Sequence, residues 1–172
     1  MKQLKKTTKQ DHQTKVKVTD KTLREFMGYN MKRTFNVFHS DLAKVLEPFD
    51  LRMVTYSALV LIVDNPGMRQ SQLADALAIE RPNLVVIVDE LERRELILRE
   101  PSKTDRRAYS LSATLKGKRL CEKASQANRE SEARLLSCLD EETKKTVQAA
   151  LHLIRISSGR GEDETDKKVQ VT

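Results

Sequence analysis

Between residues 70 and 93 the apolar positions fall on helical spacing with one interruption. Leu73, Ala74 and Leu77 form the apolar face of a short helix over residues 70–78. A turn at residues 79–81 follows. Pro82 sits where a second helix would begin, because proline is tolerated in the first turn and fixes φ there. Beyond it Leu84, Ile87, Val88 and Leu91 recur at i, i+3, i+4 and i+7, which predicts one buried face. Pro82, Val86, Asp89 and Arg93 fall on the opposite side. The period then changes. Residues 97–100 and 108–111 read as two short strands around the charged turn PSKTDRR, a hairpin.

The flanks read as helical. Leu23, Phe26, Met27, Met31, Phe35, Phe38, Leu42, Val45 and Leu46 make a wide apolar stripe, which predicts a long helix over about 20–47. Thr22 with Glu25 fits a capping box at its start, and Pro48 ends it. The stripe is too broad for a helix lying on one surface, so one side is expected to meet a partner subunit. Residues 53–63, MVTYSALVLIV, are strand-like in composition, but their length predicts a buried helix, ended by the turn DNPG. After the hairpin, Thr114 is placed to cap a long helix reaching about Cys138, with Leu115, Leu120, Ala124, Ala127, Ala133, Leu135 and Leu136 as scattered apolar positions. Asp140 caps a last helix with Glu141 and Glu142 in its first turn, where acids suit the dipole. Val147, Ala150, Leu151 and Ile154 give that helix an apolar face. The expected fold is mainly α with a small β-hairpin wing. It is a winged helix-turn-helix over about 52–115, a DNA-binding architecture, flanked by long helices at about 20–48 and 114–156.

The segment NPGMRQSQLADALAIERPNLVVIVDELERRELILREPSKTDRRAYSLSATLKGKRL resembles the MarR family of bacterial transcriptional regulators. The markers are QLA in the first helix, LERRELI at the end of the second, DRRA in the wing and T-x-x-G after it. The resemblance spans roughly residues 51–120, and the helical pattern extends it to about 20–156. Two positions depart from the family. Arg69 stands where a Ser or Thr cap is common, and Glu95 where a glycine usually ends the recognition helix. The resemblance implies a homodimer built from the first and last two helices, double-stranded DNA with a pseudo-palindromic operator as partner, and a small effector.

Composition narrows the picture. A chain of 172 residues suggests a single domain, with 38% hydrophobic residues for a core and 33% charged residues for much solvated surface. The net charge of +7 is largely local: residues 1–19 hold six lysines and one acid, Asp11. That stretch is expected to be a disordered basic arm, and residues 157–172 a disordered tail. No apolar run approaches the ~18 residues of a membrane helix. The lysine-rich start also lacks the apolar core of a signal peptide, so a cytoplasmic protein without membrane partner is expected. Cys121 and Cys138 match no zinc or CxxC spacing and are expected as buried reduced thiols. His12, His39 and His152 lie in unrelated settings, and neither a Gly-rich phosphate loop nor a G-x-S-x-G elbow occurs. No enzyme, no cofactor and no metal is therefore expected.

A recognition helix presents its N-terminal residues to base edges. Here these are Arg81, Pro82, Asn83, Val85 and Val86. Arginine pairs with guanine O6/N7, asparagine with adenine N6/N7, and valine suits a thymine methyl. Ordinary helix-start chemistry is the alternative for Arg81 and Asn83. In the wing, Lys103, Arg106 and Arg107 surround Asp105. By the resemblance, Arg107 reaches the minor groove, Asp105 braces it and Arg106 contacts phosphate. Ser71, Gln72 and Lys103 are candidates for phosphate contacts. A solvated charged turn is the plainer reading of the wing.

FMGYNMKRTFNVF, residues 26–38, resembles the start of members answering to aromatic acids or their coenzyme A thioesters. Tyr29, Lys32 and Arg33 supply a hydroxyl and two cations suited to an anionic effector. Phe26, Phe38, Met53 and Tyr56 are candidates for an apolar pocket, with His39 as a polar contact. The alternative is an aromatic core stripe beside surface cations. Two further readings of the whole chain stay open: a winged-helix interaction or architectural module without effector response, and a thiol-based redox-sensing regulator.

Overall fold

The computed structural model describes residues 18–101 and 109–157. Expectations for residues 1–17, for the wing tip at 102–108 and for the tail at 158–172 lie outside the described residues. The chain divides into two units, Met1–Asn36 and Val37–Thr172.

In the first unit the expected helix from Asp20 does not form as one piece. Leu23–Glu25 make a single 3-10 turn, Phe26 is extended at φ −95 and ψ 127, and α1 (Met27–Leu46) starts only after it. The Thr22 side chain makes no capping bond. The cause is local competition for donors and backbone acceptors. Asp20 accepts from Arg24 Nε at 2.7 Å and from the Tyr29 hydroxyl at 2.6 Å. Asn30 Nδ2 donates to the carbonyls of Arg24 and Phe26 at 2.8 and 3.0 Å.

In the second unit a 3-10 turn at Glu47–Phe49 carries Pro48. Then come α2 (Met53–Asp64), β1 (Met68–Arg69), α3 (Gln70–Leu77), α4 (Arg81–Arg93), β2 (Ile97–Pro101), β3 (Tyr109–Ala113), α5 (Leu115–Leu135) and α6 (Glu141–Ser157). The predicted face of α4 is buried: Leu84, Ile87, Val88 and Leu91 pack with Ala58, Leu59 and Ile62 of α2 and with Leu73 and Ala74 of α3. Leu96, Ile97, Leu111 and Cys121 close this core. A smaller cluster joins Leu46, Leu51 and Ala124, with Leu42, Phe49 and Tyr56 against it. The hairpin pairs antiparallel from Ile97 opposite Ala113 to Pro101 opposite Tyr109. A third strand, β1, was not expected. It pairs Met68 with Leu111, and Gly67, at φ 85, leads into it by donating to the Leu111 carbonyl at 2.8 Å.

Three helical ends close on a left-handed residue that is not glycine: Asp50 and Ala78 at φ 52 and Glu95 at φ 59. At α4, Leu96 N–H donates to Leu91 O at 2.9 Å and Glu95 N–H to Glu92 O at 2.8 Å. This is a Schellman closure, and it satisfies carbonyls that the helix end would otherwise leave open. Thr114 caps α5 as expected, its Oγ1 accepting from Gly117 N–H at 3.0 Å and donating to Glu95 O at 2.8 Å. Asp140 likewise accepts from Thr143 N–H at 2.7 Å. Cys121 is buried, but Cys138 is exposed, because α5 ends before it at Leu135. Among the described residues no helix is long and apolar enough to cross a membrane.

Candidate nucleic-acid interface

One side of α4 is built to be held and the other is left open. Beneath it, Leu84, Val88 and Leu91 are at most 2% exposed. Above, Arg81, Pro82, Asn83, Val85 and Val86 are all exposed, Val86 by 64%. The helix start uses no side chain as its cap, and Pro82 stands within the first turn. The first two turns therefore display one guanidinium, one carboxamide and two valines above the buried face.

At the start of α3, Gln72 Oε1 accepts from Arg69 N–H at 2.8 Å, so the helix lacking a Ser or Thr cap is capped from its own first turn. Gln72, expected at phosphate, is thus also a structural residue. Ser71 beside it is half-buried. The wing residues Lys103, Asp105, Arg106 and Arg107 lie outside the described residues.

Three arginines missed in the sequence, Arg99, Arg94 and Arg52, fix α4 at its far end. Arg99 of β2 places Nη2 2.5 Å from Asp89 and 3.1 Å from Glu92. The carboxylates at i and i+3 were the available signal, but their partner strand was not. Arg94 donates to the carbonyls of Asp50 and Phe49, the latter at 3.0 Å, and Arg52 holds Glu90 at 2.5 Å. Arg94 thereby supplies donors to the last carbonyls of the 3-10 turn that follows α1, where a cation suits the helix dipole.

The expected effector residues fall in both units. In the first, Asp20 gathers two of them: Tyr29 donates to it at 2.6 Å, and Arg33 Nη1 lies 3.2 Å from it and 3.1 Å from the Tyr29 hydroxyl. Hydrogen bonds from Arg24 and then from Tyr29 hold the Asp20 carboxyl down at about 2, against an ordinary 3.8. Lys32 lies over the Phe35 ring at 5.2 Å, and Phe26 is exposed. In the second unit, Phe38 and Met53 are half-buried and His39 is exposed. Tyr56 bonds Ser125 Oγ at 2.9 Å and packs on the smaller core cluster. Burial pushes the Cys121 thiol up, which disfavours the reactive thiolate. Among the described residues no group of three or more His, Cys, Asp and Glu side chains could hold a metal ion.

Comparison with known proteins adds to this geometry. The MarR family sequence model matches residues 51–109. A candidate transcriptional regulatory protein for the hcr operon of Thauera aromatica is 45% identical over 62 residues, 36% of this chain. The matched stretch spans only 37% of that relative's own length. YybA of Bacillus subtilis, an uncharacterized HTH-type transcriptional regulator, is 30% identical over 106 residues, 62% of this chain and 71% of its own. Among solved structures, the transcriptional repressor CouR bound to a 23-mer DNA duplex is 32% identical with a TM-score of 0.76, covering 80% of this chain and 98% of that one. CouR bound to p-coumaroyl-CoA is 29% identical with a TM-score of 0.72, covering 80% and 97%.

Proposed function

The chain belongs to the MarR family of transcriptional regulators, and on that footing we propose that it is a dimeric repressor released from a pseudo-palindromic operator by a small anionic effector. The observation that carries the proposal is the open first two turns of α4, with Arg81, Asn83, Val85 and Val86 exposed above a closed core. Arg81 reads guanine, Asn83 adenine, and Val86 a thymine methyl. Pro82 sets the helix start, and Ser71 and Gln72 meet phosphates. Lys103 and Arg106 add wing phosphate contacts, and Arg107, braced by Asp105, enters the minor groove. The DNA-bound relative CouR supports this reading.

Dimerisation is supported by apolar side chains that a single chain leaves exposed on α6: Val147, Leu151, Leu153 and Ile154. Two reading heads then meet half-sites centred about one helical turn, ~10 bp, apart. The effector is an aromatic acid or its coenzyme A thioester, a class supported by CouR with p-coumaroyl-CoA. Its anionic part is received by Tyr29, Lys32 and Arg33 and displaces the Asp20 carboxylate from Tyr29 and Arg33. A tenfold loss of operator affinity requires about 1.4 kcal/mol of coupling between the two sites.

Fluorescence anisotropy on labelled operator tests the reading. Arg81→Ala is expected to weaken binding by roughly 1–3 kcal/mol and to relax specificity at one base. Unchanged affinity with the helical content intact would overturn the assignment of α4 as the reading helix. Adding a panel of aromatic acids and their thioesters is expected to lower affinity, and a flat response across the panel would overturn the effector class.

A further inference from the structure

A groove of about 660 Å³ runs along the first turns of α5 beside the end of α4. Leu115 and Leu120 supply its apolar wall, and Arg94, Lys116, Arg119 and Lys123 its cations; among the described residues no acidic side chain lines it. The helix explains the arrangement. Residues 116, 119 and 123 recur on one face, with Leu115 one turn before Arg119. Leu115 is 65% exposed although it is a large apolar residue. Two of the cations already have carboxylates: Arg94 has Glu90 and Asp50, and Lys116 has Glu95 at 3.1 Å. Arg119 and Lys123 form no ion pair with any described residue.

An exposed leucine beside two unpaired cations is complementary to a partner with an apolar body and an anionic end. The apolar body removes leucine surface from water, and the anion gains charge-assisted hydrogen bonds. The volume lies within the range of small-molecule sites. We propose that this groove binds an amphipathic anion, a carboxylate or sulfonate carried on an aromatic or acyl body, with Arg119 and Lys123 holding the charge and Leu115 the body. The groove uses none of the residues Tyr29, Lys32 and Arg33, and binding there does not depend on DNA.

The test is a DNA-free fluorescence titration of the full chain with 8-anilinonaphthalene-1-sulfonate. Arg119→Glu with Lys123→Glu is expected to weaken binding at least about tenfold, the scale of one lost charge-assisted contact. All variants are made in a Lys32→Glu/Arg33→Glu background, which removes the anion site proposed above, and the charge-matched pair Lys118→Glu and Arg129→Glu, exposed on α5 outside the groove, is expected to leave the affinity unchanged. The uncharged analogue N-phenyl-1-naphthylamine is expected to bind both variants alike. If the glutamate pair loses its helical signal in circular dichroism, the pair Arg119→Gln and Lys123→Gln decides, with weakening again expected. Unaltered sulfonate affinity in the folded groove variant, or an equal loss in the Lys118/Arg129 pair, would overturn the site. Because no operator is present, that failure is separate from failure of the repressor reading.

Discussion

The Arg99 guanidinium of β2 stands 2.5 Å from the Asp89 carboxylate of α4, and Glu92 joins it from one turn further on. Strand β2 and helix α4 are thus tied outside the apolar core. Arg99→Ala is expected to lower stability by about 1 kcal/mol and to weaken operator binding, by loosening the hairpin against α4. Arg99→Lys should recover only part, since an ammonium cannot match a planar fork. Urea unfolding and operator titration check both. A double-mutant cycle with Asp89→Ala that returns no coupling would remove the pair from the mechanism.

Glu95 occupies a left-handed conformation that glycine adopts without steric cost. Its pairing with Lys116 is exposed, so little is lost by removing it. Glu95→Gly is expected to stabilise the protein by up to about 1 kcal/mol, read as a higher urea midpoint with unchanged slope. A lower midpoint would mean that the ion pair, not the backbone, governs this helix exit.

Gly117 behaves in the opposite way. A Cβ there would lie 2.0 Å from the Leu96 carbonyl oxygen, and that oxygen is backbone. Gly117→Ala, favourable by helix propensity alone, is therefore expected to destabilise by more than about 2 kcal/mol. Thermal unfolding of the variant provides the measurement, and a gain in stability would contradict the close approach.

The two thiols should react at different rates. Cys138 is exposed, while Cys121 is buried with its thiol pushed up by desolvation. A disulfide reagent at mildly alkaline pH is expected to label Cys138 first, and Cys121→Ser to leave that fast phase unchanged. Fast labelling that disappears in Cys121→Ser would revive the redox-sensing reading.

Sequence reading was strongest where one local pattern decides the outcome. Leu84, Ile87, Val88 and Leu91 share a face by spacing alone, and Thr114 and Asp140 cap the helices they precede. It failed where the deciding partner is distant or the element too short. Asp20 draws on residues nine and thirteen positions away, which defeats the Thr22 capping box. β1 has two residues, too few to show a period, and exists through its pairing with Leu111 and Ser110. Among the candidate DNA contacts the exposed turn of α4 was legible. The roles of Arg94 and Arg99 were not, since each depends on tertiary neighbours.

The contact at Gly117 has a mechanical result. Thr114 and Gly117 both press on the backbone at Glu95 and Leu96, so the first turn of α5 and the exit of α4 form one lever arm. α4 has 13 residues, hence a length of about 20 Å. A tilt of roughly 10° about that fulcrum sweeps its free N-terminal tip by about 3 Å, close to the ~3.4 Å rise between neighbouring bases. Under the proposed binding mode such a tilt, which carries Leu84 and its core neighbours with it, moves Arg81 and Asn83 out of register by one step of the double helix.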